Sequence, residues 1–459
     1  MNKKVYTILM LTLLPFAGLA QEGELSDKFE SDAQEQEGDT LAAPVAKGIV
    51  VSKYTLGQGI TFSSPKNDYS MTLSGYVQSS FESRRYEGDD EFYNRFRLRR
   101  LRVRLAGDAM DSRLSYRFTG DFAQSAAGDD EVNGMLMDAF VKYDMTQTIS
   151  VTFGQRSTST DNREMSINSS TLQFTDRSKL SSLFSSVREV GFFVDGSFKV
   201  GKIAYLRPSV TITDGDGSYS FSKRYGGLKY GSRVNYLPFG LFRQAGEYSG
   251  ADITREVSPK LSVGAAFSYN DGVSDRRGRE SGAILYMNDD NKYALPDYQK
   301  LVVDFLFKYR GFTALGEFVK TWAHVPGEIT QRVRNDGSTS RDFKLDDGRQ
   351  SVTDYIKNRM MLGDGFNLQA GYLFKNRFAV NGRYTHIRPD KYSFLNNTLY
   401  YNRNNYYEVS AAKYLTKSHS VKVQASAIWI DAGEGSRKVN SETMEGNEFL
   451  FQALVQISF

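Results

Sequence analysis

The sequence predicts an all-β fold, a transmembrane antiparallel β-barrel of about sixteen strands, and three observations carry that prediction. The first is the stretch from Gly446 to Phe459, which alternates with period two. Phe449, Phe451, Ala453, Val455, Ile457 and Phe459 share one face, while Gln452, Gln456 and Ser458 share the other. Such an aromatic face cannot meet water and a glutamine face cannot enter a dry core, so one side is expected to meet lipid and the other a wet lumen. The second observation is that the mean hydropathy of the whole chain is -0.46 and that, beyond the first twenty residues, every apolar run is broken by a charged or polar side chain. A membrane helix is thereby excluded, which leaves a closed barrel as the way to cross a bilayer. The third is a rhythm of strand-like segments joined alternately by tight and long connections.

Met1-Asn2-Lys3-Lys4 is a basic start, Val5 to Phe16 an apolar stretch and Gly18-Leu19-Ala20 a small-residue cleavage pattern, so residues 1–20 read as a signal peptide. Residues 21–47 read as a disordered acidic linker: between Gln21 and Asp39 eight acids stand against Lys28 alone. With that acid set aside, a chain of net charge +4 has a distinctly basic body. Residues 48–69 are an N-terminal periplasmic segment expected to plug the periplasmic mouth or to contact a partner, and 70–459 form the barrel. There is no cysteine, so neither a disulfide framework nor a lipidated amino-terminal cysteine is available to this exported chain.

Sixteen strands are expected near Met71–Phe81, Arg95–Leu105, Leu114–Phe122, Met135–Tyr143, Ile149–Gly154, Val190–Phe198, Ile203–Thr213 and Tyr230–Leu237, then Leu261–Tyr269, Leu301–Tyr309, Phe312–Trp322, Phe366–Phe374, Phe378–His386, Tyr406–Leu415, Val421–Trp429 and Phe449–Phe459. Each approaches the roughly ten residues a tilted strand needs to cross. Tight connections such as Asp108–Asp111, Arg310-Gly311 and Thr416–Ser418 belong to the periplasmic side, and the long ones near 88, 128, 165, 220, 285, 340, 395 and 438 face outward. Gln244–Pro259 breaks the rhythm, being long on the short side, and opens the count to an error of two. The third outer loop, Gln155–Arg188, carries Leu172, Phe174, Leu180, Leu183 and Phe184. It reads either as a loop folded toward the lumen or as a compact surface cap, with insertion favoured.

The second strand holds the strongest chemical signal, six arginines between Arg95 and Arg104. Phe96 and Leu98 are even-numbered while Leu101, Val103 and Leu105 are odd, so the alternation slips near Arg99 and Arg100, as a β-bulge would cause. With the bulge, Arg95, Arg97, Arg100, Arg102 and Arg104 point one way. They cannot face lipid, where each would cost roughly 2 to 4 kcal/mol at the midplane. A lumenal row of guanidinium groups attracts anions and matches carboxylate or phosphate oxygens. Arg117, Lys142, Arg156, Arg207, Arg233, Lys308 and Arg383 join as lumenal candidates, as do the acids Asp121, Asp138, Asp195, Asp304 and Glu317. Basic and acidic groups pairing across strands would merely stiffen the wall. At Arg100, Arg102 and Arg104 the local acid supply looks insufficient for that.

FRLRRLRVRLAGD, DAFVKYDM, ISVTFGQ with the long third loop, REVGFFVDG, GFNLQAGYLF and FAVNGRYTHI, in that order, resemble the phosphate-selective porin O and P family over most of 70–459. The resemblance implies a sixteen-stranded barrel, a homotrimer and passage of small anions. Carried onto this chain, it makes the arginines from Arg95 to Arg104, with Arg156 and Arg188 flanking the third loop, pore-lining candidates. That loop mixes Arg163, Arg177 and Lys179 with Asp161, Glu164 and Asp176, so the resemblance is one of architecture more than of substrate.

A passive channel in the outer membrane of a Gram-negative bacterium is therefore expected, in contact with lipid and lipopolysaccharide and preferring small anions such as phosphate. The alternative is a barrel subunit of a larger outer-membrane complex, docking other outer-membrane proteins through its loops at 270–300 and 323–361. Catalysis is not expected, since His324, His386 and His419 form no triad or metal spacing, and no nucleotide signature suggests a cofactor or nucleic acid.

Overall fold

The computed structural model describes residues 49–459 except 53, 67, 124–135, 216–224, 275–283, 335, 397–402, 432–435 and 440–441. The expected signal peptide and acidic linker lie outside the described residues.

Sixteen antiparallel strands close into a barrel, each pairing with its neighbour in sequence: β1 (Tyr69–Tyr86), β2 (Tyr93–Ala109), β3 (Leu114–Asp121), β4 (Leu136–Asp144), β5 (Ile149–Arg156), β6 (Glu189–Gly196), β7 (Ala204–Thr213) and β8 (Lys229–Leu237). Then come β9 (Lys260–Asn270), β10 (Asp297–Tyr309), β11 (Phe312–His324), β12 (Gly363–Leu373), β13 (Phe378–Pro389), β14 (Asn405–Tyr414), β15 (Val421–Asp431) and β16 (Glu448–Ser458). Closure is by β16 on β1, from Glu448↔Tyr86 to Ser458↔Tyr76, which removes the open edges a bilayer would not tolerate. On β16 the expected faces hold: Val455, Ile457 and Phe459 are exposed toward lipid, and Gln452, Gln456 and Ser458 are buried inside. The β10–β11 hairpin turns on Arg310 (φ 48°) and Gly311 (φ 92°), both at positive φ as a type I′ turn requires.

The slip in β2 is real. Gln78 pairs with Arg100 and Ser79 with Leu98, leaving Arg99 as the extra residue. Across the bulge Arg95, Arg97, Arg100, Arg102 and Arg104 oppose Glu82, Ser80, Gln78, Tyr76 and Ser74, all on one face.

Part of the segment before β1 pairs with the wall. Val50–Val51 and Ile60–Ser63 form a hairpin that adds to the start of β1 (Ile60↔Leu73), and Ser420 Oγ donates to Leu56 O at 3.1 Å. It continues the wall at the periplasmic rim.

Two connections fill much of the lumen. The third outer loop is inserted, with Leu172, Phe174, Leu180, Leu183 and Phe184 buried, so the surface-cap alternative fails. Leu180, Leu183 and Phe184 pack on Ala266, Val302, Val319, Met361 and Ile387, while Ile167 and Leu172 pack on Leu237, Phe242, Leu306 and Leu315. On their inner faces β10 and β11 set Val302, Leu306, Leu315 and Val319 against the loop, interleaved with the buried polar anchors Lys300, Asp304, Lys308 and Glu317. The expectation of water on the inner face is corrected in this sector. The long periplasmic connection 238–259 also folds inward, and its length cost the count no strand. Outside, the described residues of the connections between β9 and β10 and between β11 and β12 build a cap around Val273, Tyr286, Leu295, Ile329, Phe343, Tyr355 and Ile356.

Candidate functional site

The inner wall is charged wherever the plug leaves room, and most charges are paired. Arg95 Nε reaches Glu82 at 2.6 Å and Arg97 Nη1 reaches the same carboxylate at 3.4 Å. Both Arg99 and Arg100 contact Asp176 of the third loop, Arg100 at 3.2 Å, and Arg100 also donates to Gln78 at 2.8 Å. Arg102 Nε donates to Asp121 at 2.7 Å and Nη1 to Ser169 Oγ at 3.0 Å. The expectation that Arg100 and Arg102 lack acids therefore fails. One acid stands opposite on β3, and the other is delivered by a loop distant in sequence.

The remaining candidates follow suit. Arg156 pairs with Asp195 at 2.8 Å, Arg188 with Asp138 at 2.7 Å and Arg207 with Glu247 at 2.7 Å. Arg233 and Arg163 share Asp304 at 2.5 and 3.1 Å, and Arg383 bridges Glu164, at 3.1 Å, and Glu408. Cross-strand and loop pairs of this sort brace the wall and hold the loop; they also cancel charge that would otherwise act on a solute.

Arg104 and Arg117 are different. Neither makes an ion pair or hydrogen bond among the described residues, and the Nε of each is buried without an acceptor. Arg117 lies 5.5 Å above the Phe140 ring. Both line a cavity of about 1370 Å³ beneath the third loop, together with Arg156, Arg207, Arg233 and Arg113. Arg95, Arg97, Arg100, Arg102, Arg188 and Arg383 do not line it. Sequence reasoning missed Glu247, another lining residue; its only signal was its place in the connection that broke the rhythm. Lys308, expected in the lumen, is instead caged by the inward periplasmic connection.

The contact of Asp176 with Arg99 and Arg100 is tolerant of acid. Burial would raise the Asp176 carboxyl, but the adjacent Arg99 and Arg100 guanidiniums override it and hold the group at about 2. A depressed carboxyl contributes stability that is present above its unfolded value near 3.8 and lost as pH falls through 2. Single-channel conductance is accordingly expected to be unchanged by this pair between pH 7 and pH 4, checked by titrating one reconstituted channel. A step between those values that Asp176→Asn removes would contradict the assignment.

Among the described residues no cluster of three or more His, Cys, Asp or Glu side chains could hold a metal.

A family model described as phosphate-selective porin O and P matches residues 71–321. No curated protein sequence matches the chain. Among solved structures it is similar to the outer membrane channel DcaP of Acinetobacter baumannii, at 12% identity over 88% of this chain and 100% of that one, with a TM-score of 0.49. The anion-selective porin from Comamonas acidovorans is similar at 9% identity over 85% and 100%, with a TM-score of 0.48. OmpF of Salmonella typhi is similar at 10% identity over 86% and 99%, with a TM-score of 0.49. These are likenesses of shape, too distant to inform substrate.

Proposed function

The chain belongs to the phosphate-selective porin O and P family, and from that premise we propose that it is a passive diffusion channel that prefers small anions, phosphate among them. Outer-membrane channel function and a Gram-negative outer-membrane location come with the family. The anion preference rests on one observation, the unpaired Arg104 and Arg117 in the lumenal cavity. Guanidinium groups in a narrow wet passage raise local anion concentration and offer planar donors to carboxylate or phosphate oxygens. The paired arginines, from Arg95 to Arg102 and at 156, 188, 207, 233 and 383, form the frame that holds the plug beside that passage. Export by a cleaved leader, contact with lipid and lipopolysaccharide, a homotrimeric assembly and the lack of a cofactor or catalytic activity belong to the same reading.

The test is reconstitution in a planar bilayer under a KCl gradient, with phosphate added. A reversal potential on the chloride side is expected, with phosphate lowering the chloride current. Cation preference would sink the anion reading.

A second reading, a barrel subunit of a larger outer-membrane complex, is favoured by the folded outer cap and the plugged sector of the lumen. Its signature would be no conductance from folded protein and co-purification with other outer-membrane proteins at fixed stoichiometry.

A further inference from the structure

We infer that only one side of this barrel conducts: the inward periplasmic connection 238–259 meets the third outer loop and seals the lumen beside β10–β14, confining solutes to the cavity beside β2–β8, where Glu247 opposes the arginines. This rests on the channel reading above.

The two segments arrive from opposite faces of the membrane and join by main-chain bonds. Asn168 N donates to Tyr248 O at 3.1 Å, and Gly250 N to Thr171 O at 2.9 Å. Gly250 is required by proximity, since a Cβ there would sit 2.5 Å from Thr171 O and 2.8 Å from Gln173 N.

Buried polar anchors hold the connection to the wall. Lys308, 1% exposed on β10, donates to Gly246 O and Ser249 O at 2.8 Å each, to Ser249 Oγ at 3.1 Å and to Ala251 O at 3.2 Å. Asp252, also 1% exposed, accepts from Gly311 N at 2.7 Å, tying the connection to the β10–β11 turn. Apolar contacts dry what remains: Phe242 packs with Leu306 and Leu315, and Ala251 with Leu373, Ala379, Ala412 and Tyr414. Backbone polar groups so satisfied, over an apolar floor, leave water little reason to enter.

The opposite side is polar and open. Ser150, Ser209 and Arg117 line the cavity, and Glu247 reaches it from the connection. One Glu247 oxygen accepts from Arg207 at 2.7 Å, while the other is buried without a partner among the described residues. Glu247 therefore offsets the Arg207 cation beside Arg104 and Arg117, and removing its charge would leave that cation to act on passing ions, which makes it a specificity-determining residue.

The chain has no cysteine, so single cysteines report on each side. Ser150→Cys, Ser209→Cys and Ala412→Cys are reconstituted, shown to be folded by heat-modifiable migration, and exposed to a negatively charged methanethiosulfonate; labelling is read by mass and current by bilayer recording. Rapid labelling with more than half the current lost is expected at 150 and 209, and no labelling at 412 until the barrel is denatured. Labelling of Ala412→Cys in the folded barrel at the rate of Ser209→Cys would overturn the seal. Modification at 209 and 150 that leaves the current intact would overturn the path. The same labelling split in a barrel that never conducts would uphold the seal and refute the channel reading. Glu247→Gln is expected to raise the anion-to-cation permeability ratio roughly two- to fivefold; an unchanged ratio would remove Glu247 from the selectivity set.

Discussion

Replacing Arg104 and Arg117 together by glutamine is expected to lower the anion-to-cation permeability ratio roughly tenfold. A unit charge acts on an ion 8 Å away with about 0.5 kcal/mol in water, opposite in sign for anions and cations, less what salt screens. Two such charges separate anion from cation by about the 1.4 kcal/mol that a tenfold ratio requires. Stability should change little, because neither side chain makes an ion pair or hydrogen bond among the described residues. Reversal potentials at two KCl ratios measure the effect, beside an Arg100→Gln, Arg102→Gln control. That control should leave selectivity nearer to the parent, since Arg100 and Arg102 do not line the cavity. If the control loses more selectivity than the Arg104, Arg117 variant, the cavity pair is the wrong site.

Replacing Asp304 by asparagine is expected to free the third loop. Its carboxylate is fully buried and serves two guanidiniums, Arg163 of the loop and Arg233 of β8, which are 5% and 6% exposed. Removing it strands two buried cations, a change that costs about 3 to 5 kcal/mol. The wall strands are held by their own ladders, so the loop should yield first. A lower unfolding midpoint in SDS and a larger, noisier single-channel conductance would follow. Asp289→Asn is the comparison: its 2.8 Å contact with Arg341 lies between side chains 65% and 70% exposed, and exposed pairs contribute about 0 to 1 kcal/mol. Equal destabilisation by the two substitutions would refute the buried-anchor role.

Much of this architecture was legible in the residues. Alternation along β16, the rhythm of turns and the slip at Arg99 are local signals, because a strand displays its two faces at period two and a bulge costs one residue. The apolar residues of Gln155–Arg188 foretold insertion because a wet surface gives such side chains no partner. Less visible was the connection 238–259. Gln244 and Ala245 take positive φ there without glycine, and its inward fold depends on Lys308 and Asp252 finding partners across the barrel.

The sequence by itself determined a closed sixteen-stranded barrel and an arginine row turned from lipid, since bilayer energetics penalise each error residue by residue. Only the tertiary structure decided which arginines keep their charge available. Arg100 is held to an acid 76 residues away in sequence and Arg233 to one 71 residues away. Arg104, on the same strand and with the same chemistry, meets no acid among the described residues. Coulomb partners are set by distance in space, and two inward-folding connections set those distances.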